Sequence, residues 1–172
     1  TDFVVGLPAS YYEGHRSLLV VTELSSDYRF IYPCKTHDEL PQLFKRLNAD
    51  VRALPGEKRV RTIRSDGETV FKSDEVQQWC AGNDIQQKRS RAYEHNSNAV
   101  AERSNGVLFD AIRPVMLESN LTPSFWLEAA RHCVMVLNVL PTANTGYGSS
   151  PYIITHGEKP PGDNIRPFGC LC

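Results

Sequence analysis

Three carboxylates stand where the chain could put them to chemical use. Asp66 closes an alternating apolar and polar run, VRTIRSD (60–66), and stands directly before Gly67. That alternation is the period of a strand with one buried face, so the acid falls at the strand's carboxyl end. Asp-Gly suits a tight turn as well as a metal site, and the stretch by itself supports both readings. Glu102, in NSNAVAERSNGVL, lies on a helical polar face beside Asn98 and Asn105, roughly 150° from the centre of the apolar stripe. Asp2, in TDFVVGLP, begins what should be the first strand. Taken singly, these acids are an ordinary turn, a solvated glutamate and a strand terminus. Brought together, they would offer the hard oxygen ligands that a Mg²⁺-class cation prefers.

The elements that must position them follow from hydrophobic period and breakers. SLLVVTEL (17–24) is a nearly continuous apolar run, as expected of a strand covered on both faces. YRFIYPC (28–34) follows a Ser-Ser-Asp turn, which predicts an antiparallel hairpin. Thr36 and Glu39 form a Thr-x-x-Glu capping box before a helix with Leu40, Leu43, Phe44, Leu47 and Val51 on one face. Pro55-Gly56 ends it, a strand over 59–65 leads to Asp66, and Ser73 caps a short helix closed by Gly82. An extended piece, IQQKRS (85–90), precedes the long helical stretches. Val100, Val107, Leu108, Ala111, Ile112 and Val115 share one stripe, and Pro114 is expected to kink or end that helix near residue 113. Thr122 and Pro123 start the next helix, FWLEAARHCVMVLN, and a Pro- and Gly-rich tail over 141–172 reads as mostly irregular. This order predicts an α/β fold: a mixed central sheet flanked by helices, with sites at the carboxyl ends of strands.

Composition narrows the function class. A chain of 172 residues with 41% hydrophobic content suits a single globular domain, and no apolar run is long enough to span a membrane. The opening lacks the basic region of a signal peptide, and both ends read as those of a fragment of something longer. Cys34, Cys80, Cys133, Cys170 and Cys172 show no metal-ligand spacing, which favours reduced thiols and an intracellular compartment. The five histidines, at 15, 37, 95, 132 and 156, show no zinc spacing either. A net charge of −1 argues against a nucleic-acid binder as a class. Its distribution argues for one: KRVRTIR (58–64) and KRSRAYEH (88–95) flank the Asp66 region with positive charge.

The motifs resemble those of a known family. SDGETVF (65–71) and NAVAER (98–103) resemble two acidic segments of the retroviral-type integrase catalytic core. In that family the last two acids of an Asp, Asp, Glu triad are separated by 35 residues, as Asp66 and Glu102 are here. FWLEAA, NVLPT, SPYIITHGEKP and RPFGCL resemble the copia type of LTR retrotransposon, whereas DFVVGLP is closer to the gypsy type. Gly67, Glu68, His95 and Ala99 depart from the family's pattern, and Pro114 lies within a helix that the family keeps continuous.

The resemblance implies an RNase H-like core over residues 1–140, with 141–172 as an irregular extension. It implies Mg²⁺-dependent (or Mn²⁺-dependent) DNA 3′-end processing and strand transfer, with two ions held by Asp2, Asp66 and Glu102. Asp2 would bridge the ions. DNA, both element ends and target, would be the partner. A homo-oligomer, a nuclear location and no membrane association are also implied. The phosphate contacts expected are Lys58, Arg59, Arg61, Arg64, Lys88, Arg89 and Arg91, with Asn98 beside the site. Glu68 is a second ligand candidate near Asp66, and Glu23 is an acid outside the triad. Asp27 and Asp74 read as turn and cap residues. The other reading of the same residues is a degenerate or repurposed core that folds, dimerises and binds nucleic acid without catalysis. An RNase H-like nuclease unrelated to mobile elements is disfavoured by the copia-like tail.

Overall fold

The computed structural model describes residues 1–65, 69–89, 99–161 and 165–170, with the backbone alone at 69, 70, 89, 99 and 100. Expectations for Asp66, Gly67, Glu68, Arg91, His95, Asn98 and Cys172 therefore lie outside the described residues, as does the side chain of Arg89.

Three strands form an antiparallel sheet in sequence order: β1 (Asp2–Val4), β2 (Ser17–Thr22) and β3 (Arg29–Cys34). Asp2 lies opposite Val20, and Ser17 opposite Cys34. The predicted hairpin is β2–β3. Its turn is fixed by Glu23, whose carboxylate accepts from the Ser26 hydroxyl at 2.6 Å and the Ser26 N–H at 2.7 Å. After α1 (Leu40–Ala53), β4 (Thr62–Ser65) pairs in parallel with β5 (Gln86–Arg89), and α2 (Asp74–Gly82) makes the crossover. The long helices α3 (Ala99–Ser119) and α4 (Trp126–Val139) follow, then a short α5 (Pro151–His156).

β2 is why this order makes layers. Successive side chains of a strand point to opposite faces, and its apolar run feeds both. Leu19 and Val21 pack with Leu40, Leu43, Phe44 and Leu47 of α1 and with Ile63 of β4. Leu18 and Val20 pack with Leu108 and Ile112 of α3 and with Trp126, Leu127 and Ala130 of α4. The sheets are thus the middle layer between α1–α2 and α3–α4.

Several expectations change. Among the described residues the mixed sheet divides into two hydrogen-bonded sheets, which meet where the Thr1 nitrogen donates to the Arg64 carbonyl. The strand expected over 59–65 is regular only from Thr62, although the Gln86 N–H bonds the Arg61 carbonyl at 2.9 Å. α3 runs through Pro114 to Ser119. Proline removes a single N–H from the ladder. Its position is exposed, as is that of Asp110, whose carbonyl loses the bond, while buried Leu108 and Ile112 hold the helix to the core. Val107, expected in the apolar stripe, is 40% exposed. Ser73 precedes α2 without a side-chain cap bond. Glu39 does accept from the Thr36 N–H (3.0 Å), as the capping box requires, and also from the Lys35 N–H (2.8 Å). Burial pushes the Glu39 carboxyl up, but these bonds outweigh it and hold the group below its ordinary value. The tail carries α5, with Ser150 accepting from Ile153 N–H at 3.3 Å and Gly157 in the left-handed region at φ 77°.

One polar residue stitches α4 to the sheet. Buried Asn138 donates to the Arg29 carbonyl and accepts from the Arg29 N–H, both at 2.9 Å. Asn138→Ala strands two buried backbone groups and is expected to cost about 2–4 kcal/mol in urea unfolding. Asn138→Asp, which keeps the acceptor and loses the donor, should also destabilise; wild-type stability in either variant would contradict this role.

Candidate active site

Asp2 is half-buried at the first position of β1, and both its carboxylate oxygens are engaged. Oδ1 accepts from the Phe3 N–H at 2.9 Å, and Oδ2 accepts from Asn105 Nδ2 at 2.9 Å. Asn105 belongs to α3, which packs across β1 and β2. Glu102 precedes it by three positions on the same helix and is exposed in its first turn. Residues at that spacing have Cβ atoms about 5–6 Å apart, so Glu102 stands beside the Asp2–Asn105 pair. The positive end of the helix favours a carboxylate there.

The third acid, Asp66, follows β4 in sequence but lies outside the described residues. The structure describes the strand leading to it: Ser65 ends β4, and the Arg64 carbonyl takes the Thr1 nitrogen, bringing that end of β4 alongside the start of β1. Asp2 is thus bonded to α3 through Asn105, a residue that was not predicted as a ligand, and Glu102 lies one turn earlier on the same helix. Asn105 also holds a buried Oδ1 with no hydrogen-bond partner among the described residues. This acceptor is a fixed neighbour of Asp2 suited to a hydrated cation. The donor set consists of carboxylate and amide oxygen, which matches Mg²⁺ or Mn²⁺ rather than a thiolate-seeking metal. Among the described residues no group of three or more His, Cys, Asp or Glu side chains is placed to hold a metal.

The basic residues divide. Arg59, Arg61, Arg64 and Lys88 are exposed and border one cavity of about 510 Å³ between β2 and β4, which Thr1 and Ala101 also line. Lys58 is half-buried, and its ammonium donates to the Thr155 carbonyl at the end of α5, a tether to the tail. Glu23 opens on the same cavity. Burial raises its carboxyl, but the bonds from Ser26 and Ser25 prevail and hold it below the usual range. Its use is the turn. Asp27 takes a turn conformation at φ 59° and accepts from Thr142 Oγ1 (2.8 Å) and Asn144 Nδ2 (3.0 Å). Asp74 is the first residue of α2. Cys34, Cys80 and Cys133 are buried, and burial first, then Glu39, pushes the Cys34 thiol up to about 11.

The integrase core domain family model matches residues 1–95 of the 172. The chain belongs to the integrase core domain family. Among curated relatives, this integrase core is 25% identical over 157 residues to the retrovirus-related Pol polyprotein from transposon TNT 1-94 of Nicotiana tabacum. That match covers 91% of the chain and 12% of the relative. It is 25% identical over 146 residues to the Pro-Pol polyprotein of feline foamy virus, covering 85% of the chain and again 12% of the relative. The chain thus spans about an eighth of the curated relatives' length. In fold it is similar to a chain of the simian T-cell lymphotropic virus intasome in complex with PP2A regulatory subunit B56 gamma. The TM-score is 0.69 at 17% identity, with 96% of this chain and 56% of the other covered. The integrase core has the RNase H-like fold expected of its sequence.

The Asp2–Asn105 bond is open to a double-mutant cycle. Unfolding of Asp2→Ala, Asn105→Ala and the pair is expected to give a coupling of about 1–2 kcal/mol, as for a hydrogen bond to a charged acceptor. Strictly additive losses would show that the two side chains do not act together.

Proposed function

We propose that this integrase core is the catalytic part of a polynucleotidyl transferase that trims DNA 3′ ends and joins them to target DNA for a retrotransposon. The observation that carries the reading is the Asn105 bridge, which ties the Asp2 carboxylate to the helix that presents Glu102. Asp2, Asp66 and Glu102 are the proposed ligands of two Mg²⁺ or Mn²⁺ ions. When bound, such a pair would supply positive charge to the attacking and leaving oxygens of an in-line displacement.

The chain's own residues do the rest. Asp2, with both oxygens already oriented by N–H donors, is the pre-set ligand, and its place between β4 and α3 suits the bridging role. Glu102, on the exposed first turn, closes the site from the helix side. Arg59, Arg61, Arg64 and Lys88 line the cavity at β4, where they can hold the DNA backbone without reading bases. Water would be the nucleophile in trimming, and a DNA 3′-hydroxyl in joining. A homo-oligomer on DNA and a nuclear location belong to the same proposal; the similar simian viral chain comes from an intasome.

Without metal, three neighbouring carboxylates repel one another. Asp66→Asn and Glu102→Gln should therefore melt within about 0.5 kcal/mol of wild type, or above it, in chelator. With Mg²⁺ at ten times its Kd, wild type should gain about 1.4 kcal/mol, and both variants should lose that gain together with strand transfer. Equal Mg²⁺ shifts in all three proteins would leave Asp66-Gly67 an ordinary turn and favour a non-catalytic module.

DNA binding is expected to be sequence-independent and steeply salt-dependent. With four phosphate contacts, affinity should fall roughly 10²-fold between 50 and 200 mM salt. Arg61→Ser with Arg64→Ser should lower the log–log slope by about 2. Filter binding or anisotropy across a salt series measures both, and a flat salt response would refute the assignment.

A further inference from the structure

Arg29 is the first residue of β3 and is 8% exposed. Among the described residues, no carboxylate lies within ion-pair distance of its guanidinium. Asp27 acts on it through space, but that carboxylate is already bonded to Thr142 and Asn144. The guanidinium instead donates from Nε to Ser104 Oγ at 3.1 Å and from Nη1 to the Asp27 carbonyl at 3.3 Å. Ser104 is 4% exposed on α3, and its hydroxyl also shares a 2.6 Å hydrogen bond with Thr22 Oγ1 of β2. As a source of stability this is a poor arrangement, because a buried cation without an ion partner is costly and an apolar residue of similar size does as well or better. As a means of fixing geometry it is strong, because one hydroxyl is held by groups from two strands.

What it fixes is the helix that carries Glu102. Among the described residues no hydrogen bond or ion pair holds Glu102 itself, so the rotation of α3 sets the direction in which its side chain leaves the helix. Asn105 pins the helix to β1 through Asp2. Ser104, about 100° further round the helix, pins it to β2 and β3. With one pin, only apolar packing against β2 and α4 resists a roll of α3; two pins on different faces add directional bonds that oppose it. A roll of about 20° at a side-chain radius of roughly 5–6 Å would carry the Glu102 carboxylate about 2 Å, well outside the tolerance of a metal ligand.

We infer that Arg29 and Ser104 are positioning residues: together they lock the rotation of α3 and so hold Glu102 at its working distance from Asp2. The inference rests on the carboxylate reading of the site, and its test separates the two. Mn²⁺ affinity, read by the electron paramagnetic resonance of free Mn²⁺, is measured beside urea unfolding in chelator for wild type, Glu102→Gln, Ser104→Ala, Ser104→Thr and Thr22→Val. Wild type should bind and Glu102→Gln should lose binding. Ser104→Ala should weaken Mn²⁺ affinity about tenfold or more while unfolding cooperatively, as outer-shell losses do. Ser104→Thr, which keeps the hydroxyl, should lie within about threefold of wild type. Thr22→Val, a milder cut in the same network, should fall in between and serves if Ser104→Ala does not fold. Lower stability with wild-type Mn²⁺ affinity in Ser104→Ala or Thr22→Val would make the network merely structural and overturn the inference. No Mn²⁺ binding by wild type, or undiminished binding by Glu102→Gln, would overturn the carboxylate reading and this inference with it.

Discussion

A strand can serve two cores only if both of its faces are apolar, and β2 meets that condition along most of its length. Leu19 and Val21 close one core with α1, and Leu18 and Val20 close the other with α3 and α4. Moving the register by one residue would exchange the two sets, so the apolar run fixes both layers at once. The elements that carry Asp2 and Glu102 are hung on this strand. β1 pairs with it, α3 lies across it, and Thr22 at its end reaches the buried serine of α3.

The candidate site is therefore an outcome of layering rather than of a local motif. Asp2 comes from the strand beside β2, Glu102 from the helix above it, and the strand leading to Asp66 from the neighbouring sheet. Polar side chains finish what apolar packing begins: Asn105, Ser104, Arg29 and Asn138 form a chain of buried or half-buried hydrogen bonds from β1 across α3 to β3 and α4. Apolar packing tolerates small rolls and slides of a helix. Directional bonds do not, and here they tie α3 to β1, β2 and β3.

Local signals were legible in the sequence, and long-range ones were not. The hairpin, α1, α2, α4 and the end of β4 on Ser65 follow from period and breakers, because each is set by neighbours a few positions away. Pro114 misled for the same reason: a local rule predicted a break, and packing of Leu108 and Ile112 overrode it. α5 was missed although Ser150, Pro151 and Gly157 mark its ends, because six residues show little of a helical period. Of the candidate site, Asp2 and Glu102 were proposed through family resemblance and the spacing of acids. Asn105 was visible only as a neighbour on the polar face, since its partner is 103 positions away. Lys58 looked like a phosphate contact because nothing nearby in sequence announces Thr155, 97 positions on.

The division of the strands into two sheets has a mechanical consequence. Within each sheet a ladder of hydrogen bonds fixes the strands against sliding. Between the sheets, a main-chain link runs from the Thr1 nitrogen to the Arg64 carbonyl, and side chains pack around Leu19, Val21 and Ile63. Packed seams yield to small shear motions more readily than ladders do. The cavity that Thr22 lines on one side and Arg64 on the other is thus bounded by two sheets rather than by one continuous ladder.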